Sequence, residues 1–391
     1  MHWSWFSPSS PCPWPSPRAE AFVYWANISD GTIGRANLDG TGVDQNFITG
    51  ADRPSAVAVD AGHVYWANFG DTIVNPGTIG RANLDGTGVD QNFIAGPNGL
   101  SAVAVDAAHV YWTNSRPNTI GRANLNGSGV DQNFIAGASD PSGVAVDAAH
   151  VYWTNVDSTN NFAGTIGRAN LNGTGADQGF ITTARLPSGV AVDAAHLYWA
   201  NAFANTIGRA NLNGTGVDQF FIAGVGEPHG VAVDAAHVYW ANGLDGRIGR
   251  ANLDGSGVDQ NFIAGPGAPV VSGVAVDAGR SFAFGEVQRN NTKGTAKLTT
   301  TVPGPGELVL ARTKQVKGDE ARAAAAGGAS ARTSQNEIEV ELAVKPRGKA
   351  KKKLNRKVKA KVKAKVTYTP DGSDPTIVGN TDVKTVKLIK R

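Results

Sequence analysis

Residues 22–277 repeat one unit around a Tyr-Trp pair, which recurs at Tyr24-Trp25, Tyr65-Trp66, Tyr111-Trp112, Tyr152-Trp153, Tyr198-Trp199 and Tyr239-Trp240. Successive pairs are 41, 46, 41, 46 and 41 residues apart. A Gly-Val-Ala-Val-Asp or Ala-Val-Ala-Val-Asp run precedes all but the first pair, and a Thr-Ile-Gly-Arg-Ala-Asn-Leu run or its near copy follows each. Units this alike must fold alike, each burying its apolar face against its neighbours. Residues common to every copy are therefore expected to build the scaffold. Residues that break the pattern are where function is to be sought.

Each unit divides into short β-like segments. In the second copy residues 55–60 alternate small and β-branched side chains, and residues 63–68 follow a tight connection. Residues 78–84 and 89–94 then flank Asp85-Gly86-Thr87-Gly88, an Asp-Gly hairpin signal that supplies positive φ at low steric cost. Four meandering strands per unit predict an all-β, six-bladed β-propeller over residues 22–280. The first Tyr-Trp segment has no inner strand ahead of it, and the run 273–277 has no Tyr-Trp after it. That run is expected to complete the blade begun by residues 22–27 and so remove free sheet edges.

The Tyr-Trp-(Ala/Thr)-Asn segments, the Ile-Gly-Arg-Ala-Asn-Leu strands and the Gly-Val-Ala-Val-Asp runs resemble the YWTD, or low-density-lipoprotein-receptor class B, propeller family. The family motif ends in Asp, whereas every copy here ends in Asn: Asn27, Asn68, Asn114, Asn155, Asn201 and Asn242. The flanking cysteine-rich modules of receptor propellers are absent, and receptor endocytosis is not implied. The Thr-Ile-Gly-Arg-Ala-Asn-Leu repeats are also similar to those of the streptogramin lyase family, whose propeller has seven blades and a His/Glu metal site.

Several sets run round the whole ring. The Tyr-Trp pairs are expected to pack the core. Arg35, Arg81, Arg122, Arg168, Arg209 and Arg250 are expected to bridge neighbouring blades through carboxylates or carbonyls. His63, His109, His150, His196 and His237, one in each of five blades, are poorly placed to converge on one ion. No metal and no cofactor are expected.

The copies differ on one face. There the loops between second and third strands hold four residues in most blades but nine at 69–77 and 156–164, and the connections into the next blade also vary. Variable loops on a rigid scaffold are where binding residues usually lie. The candidates are Phe69, Asp71, Arg116, Asp157, Phe162, Arg185, Phe203, Leu244 and Asp245. Inner strands are expected to begin at Ser55, Ser101, Ser142, Ser188 and Ser272, but the corresponding residue in one blade is His229, shortly after Glu227. These two complete the candidate set.

Net charge, +3 overall, conceals a break in composition. Residues 286–391 hold 24 Lys/Arg against 10 Asp/Glu, while the preceding residues hold 12 against 23. Residues 337–344 and 357–366 alternate with period two, which predicts a basic antiparallel β-sandwich domain over residues 281–391. This stretch resembles the lysine-rich immunoglobulin-like modules that end many exported actinobacterial proteins. Lys351, Lys352, Lys353, Lys357, Lys359, Lys361, Lys363 and Lys365 are candidate contacts for an anionic cell-wall polymer or other polyanion. Nucleic acid is not expected, because only Tyr368 is near for base stacking and no reader motif is present.

Residues 1–21 form an irregular segment whose Pro-, Ser- and Trp-rich start does not read as a signal peptide. Lone Cys12 has no internal disulfide partner, and no apolar run is long enough to span a membrane. These features lead to the expectation of a monomeric, non-catalytic, extracellular or cell-surface binding protein. Its variable face would present itself to a protein or carbohydrate ligand. The alternative expectation is a propeller enzyme of lyase or lactonase type, with its site at the channel mouth.

Overall fold

The computed structural model describes residues 21–60, 62–70, 76–96, 98–157, 163–264 and 270–277, and beyond these the backbone of eight strands between residues 283 and 389. Asp71, Phe162, Lys351, Lys352, Lys353, Lys357 and the segment 1–20 lie outside the described residues. Residues 22–277 form six four-stranded antiparallel sheets, numbered here as blades 1 to 6 in chain order. The inner strand of blade 1, Val271–Val276, comes from the far end of the repeats and pairs with Phe22–Asn27, with Trp25 opposite Val274. Both ends of the propeller therefore meet in one blade, as the strand count predicted.

Every tryptophan and tyrosine of the six pairs is at most 1% exposed. A buried aromatic ring removes about 150–250 Å² from water, worth several kcal/mol at about 25 cal/mol/Å² as an upper bound. The ring lies flat because of its neighbour across the ladder. Trp66 stands opposite Gly80, and a Cβ at Gly80 would collide with the indole. The indole N–H donates to a glutamine of the outer strand, as from Trp66 Nε1 to Gln91 Oε1 at 3.0 Å. That glutamine in turn donates to the preceding blade, Gln91 Nε2 to Thr49 O at 3.2 Å.

The arginines join blades through carbonyls, settling one of the two options the sequence left open. Arg35 donates to Leu84 O, Arg81 to Leu125 O, Arg122 to Leu171 O, Arg168 to Leu212 O and Arg209 to Leu253 O, at 3.0–3.3 Å. Arg250 closes the ring on Leu38 O at 3.0 Å. Each guanidinium also sits 3.8–4.0 Å above a phenylalanine ring of its own blade.

Asparagine at the end of the Tyr-Trp segment has a reason in the same geometry. Asn68 Nδ2 donates to Thr78 Oγ1 at 3.0 Å and to Gln91 O at 3.2 Å, while its Oδ1 accepts from the Asp52 N–H at 3.0 Å. An aspartate carboxylate would set oxygen against oxygen at the first two positions. The amide makes this network a neutral one.

Beyond the ring, the strands Ala283–Asn290, Thr295–Val302, Thr333–Ser334 and Glu337–Val344 pair in one sheet. Gly306–Leu310, Asp319–Ala323, Lys359–Pro370 and Asn380–Ile389 pair in another.

Candidate functional site

The face carrying the repeated Asp-Ala-(Ala/Gly)-His turns is closed by local bonds. In blade 2 Asp60 Oδ1 accepts from the N–H groups of Gly62 and His63 at 2.6 and 2.7 Å, and Oδ2 accepts from the Tyr65 hydroxyl at 2.9 Å. Burial acts to raise the Asp60 pKa, but these hydrogen bonds and His63 beside it hold the carboxyl below its ordinary range. Burial, reinforced by Asp60, pushes the Tyr65 phenol far above its own. His63 Nδ1 lies 3.7 Å from Asp60 Oδ1, and the corresponding histidines of blades 3 to 6 repeat this contact at 3.6–3.8 Å. These imidazoles belong to the turns.

The opposite face surrounds the mouth of a central channel of about 460 Å³. All six inner strands line it, and Ile28, Arg53 and Phe69 join them. Inner strands begin one residue before the serines, for instance at Pro54 and Pro228, because that residue already pairs with the asparagine of the second strand. Three of the serines reach neighbouring blades, while Ser101 Oγ donates to Gly99 O of its own blade at 3.4 Å. Ser55 Oγ donates to Ser101 O at 3.0 Å, Ser142 Oγ to Ser188 O at 3.3 Å and Ser188 Oγ to His229 O at 2.8 Å.

His229 lines this channel without a hydrogen bond from its ring among the described residues. Burial lowers its pKa and Glu227 partly offsets the shift, so the neutral imidazole is favoured. Its ring packs on Gly243, where a Cβ would strike Cδ2 and Nε2. The same position in the other blades holds Ile28, Phe69, Ser115, Val156 and Ala202. The histidine and the glycine that makes room for it therefore depart from the repeat together. Comparing those columns of the sequence would have revealed Gly243, which the candidate set missed.

The other candidates are spread round the rim. Phe69 lies in the channel wall, with the Arg53 guanidinium 5.2 Å from its ring centroid and Arg53 Nη2 donating to Phe69 O at 3.3 Å. Arg116, Arg185, Phe203, Leu244 and Asp245 are exposed, and Asp245 pairs with Arg247 at 3.5 Å. Phe203 and Leu244 occupy equivalent turns of adjacent blades and are 53% and 72% exposed. Glu227 is half-buried with φ of 48°, its N–H donating to Asn205 Oδ1 at 2.9 Å. Arg53, Asp140 and Leu186 take the same left-handed conformation just before their inner strands, with φ of 43–48°.

Two readings of the loops need correction. The loop expected over 156–164 begins and ends in ladder, because Val156 pairs with Gly164 and Asp157 with Ala163, while residues 158–162 lie outside the described residues. Arg185, expected in a connection, ends the outer strand of blade 4 opposite Ala163. In both cases the strands continue past the length used in other blades. Among the described residues, no three His, Cys, Asp or Glu side chains gather as a metal site would require. No helix of the described residues is long and apolar enough to cross a membrane.

The chain is similar in fold to one in the crystal structure of a nidogen/laminin complex, with a TM-score of 0.55 and 20% identity over 66% of this chain and 98% of that one. A gluconolactonase from Xanthomonas campestris matches with a TM-score of 0.47 and 15% identity, covering 72% of this chain and 94% of its own. Virginiamycin B lyase from Staphylococcus aureus matches with a TM-score of 0.43 and 20% identity, covering 59% and 80%. No protein-family model and no curated protein matches the chain. The first likeness agrees with the propeller fold read from the repeats. The expectation of a non-catalytic protein is corrected by the other two: similar solved structures include a lactonase and a lyase, so enzyme status is open.

Proposed function

We propose that the propeller is a binding module that receives a segment of a protein ligand at the channel mouth of its variable face. The observation that carries this reading is the paired departure of His229 and Gly243 from the repeat, which places one imidazole in a ring of serines. Exposed Phe203 and Leu244 on the neighbouring turns supply apolar contact area of the kind that anchors protein interfaces. Arg116, Arg185, Asp245 and Glu227 add charge to the same rim, and Phe69 and Arg53 extend the wall of the channel. The test compares quantitative pulldowns by the full chain, its His229→Ser variant and a Phe203→Ser/Leu244→Ser variant, beside a glycan array. Protein partners lost from both variants are expected. An unchanged partner set, or binding to glycans alone, would sink this reading.

A second reading rests on the basic C-terminal region. We infer that residues 281–391 form an immunoglobulin-like β-sandwich that associates with an anionic cell-wall polymer outside the cell. Residues 345–366 contain 12 basic and no acidic residues, and the ladder register sets Lys361 opposite Lys387. Lys359, Lys363 and Lys365 alternate along the same strand. The full chain should bind an anionic matrix at low salt and elute as ionic strength rises. Retention that does not respond to salt would remove this idea.

A further inference from the structure

The backbone leading into the inner strand of blade 6 is fixed residue by residue. The Glu227 N–H donates to Asn205 Oδ1 of blade 5 at 2.9 Å, and Glu227 O accepts from the Gly243 N–H at 3.1 Å. Pro228 O and His229 O each accept from Ser188 Oγ, at 3.0 and 2.8 Å. The two polar side chains of this stretch are not engaged in the same way. Among the described residues the Glu227 carboxylate makes no hydrogen bond or ion pair, and neither ring nitrogen of His229 has a hydrogen-bond partner.

The same two positions elsewhere on the rim are engaged or lie open to water. In blade 2 Arg53 is held by Phe69 and Asp52, and Ser55 Oγ donates to Ser101 O. In blade 4 Asp140 repeats the carboxylate, but it is exposed, and Ser142 behind it is held by Thr154 and Ser188 O. Glu227, by contrast, is half-buried beside the imidazole. Burial keeps that imidazole neutral, so one ring nitrogen carries a lone pair, and Glu227 is the one charged group acting on it among the described residues. Carboxylate and imidazole are therefore two acceptors without donors. An anion placed here would meet the carboxylate, and an apolar group would leave both acceptors unsatisfied. A cationic N–H donor satisfies both, with the channel wall at Val231 and Val274 beside its alkyl stem.

We propose that Glu227 and His229 together receive a cationic side chain, lysine or arginine, of the ligand segment: the carboxylate takes the charge and the imidazole accepts an N–H. This rests on the channel mouth being the face that receives a protein segment, and adds which kind of residue enters it. Because the backbone is held before any ligand arrives, little ordering accompanies binding. Protonating His229 would remove the acceptor and set a second cation beside the ligand. Binding therefore weakens as pH falls below 6.5, the ordinary value for histidine.

The test is a set of ligand-detected NMR titrations of the full chain. Butylammonium and butylguanidinium stand in for lysine and arginine, with butyrate and butanol as anionic and neutral controls. Both cations are expected to bind roughly tenfold or more tightly than either control, the difference made by one charge-assisted hydrogen bond. Whichever cation binds better tells lysine from arginine. Glu227→Gln should abolish the preference, and His229→Ser should abolish its weakening in acid. Asp140→Asn, which alters the exposed carboxylate of blade 4, should change neither. Equal binding of cations and controls, a preference that survives Glu227→Gln, or an equal loss from Asp140→Asn overturns the proposal. If the cations bind as expected while the pulldowns lose no partner, the protein-segment reading fails and the cation site stands.

Discussion

The two faces of the ring are built on the same strands yet obey different rules. On one face Asp, His and Tyr satisfy each other within the turns of blades 2 to 6, as Asp60, His63 and Tyr65 do. On the other, the serine position, the turns and the blade connections change from copy to copy, and several non-glycine residues adopt positive φ. A repeated scaffold with its bonds completed internally leaves one face free to vary without unfolding the whole. The contrast separates residues that hold the ring from residues that can specialise it.

The largest effect expected from testing this contrast lies in the core. Trp112→Ala should cost about 3–5 kcal/mol by urea denaturation, because the site is fully buried and blade stacking prevents collapse. Leu244→Ser, on the variable face at 72% exposure, should stay within about 0.5 kcal/mol of the parent. Comparable losses at the two positions would break the division between faces.

The smallest effect is one of pH. Burial depresses the His229 pKa from its ordinary 6.5, so the unfolded chain takes up this proton at higher pH than the folded one. Stability should therefore fall as pH drops below that ordinary value, with Glu227 limiting the loss. The His229→Ser variant should lose less over this window, and its difference from the parent should be constant above it. Urea midpoints measured across the window check the sign, and parallel profiles would show that His229 is not desolvated as described.

Much of the ring was legible because it is written six times. The blade count, the joining of the two ends and the bridging role of the arginines follow from recurrence, since a residue needed in every interface must appear in every copy. The glutamine that holds each tryptophan recurs just as regularly, but its role depends on a distance across two strands that spacing does not give. The site was half legible. His229 stands out against five serines, whereas Gly243 matters only through the ring that rests on it. The left-handed residues at Arg53, Asp140, Leu186 and Glu227 carry no direct marker, because all four precede a proline that fixes its own φ rather than theirs.

The union of both chain ends in blade 1 sets an order of events during synthesis. Phe22–Asn27 leaves the ribosome about 250 residues before the strand that will pair with it. At roughly 5–20 residues per second, an open sheet edge must wait on the order of tens of seconds for its partner. The ring cannot be sealed blade by blade as it emerges; its last bond is made only when the whole circle is already in place.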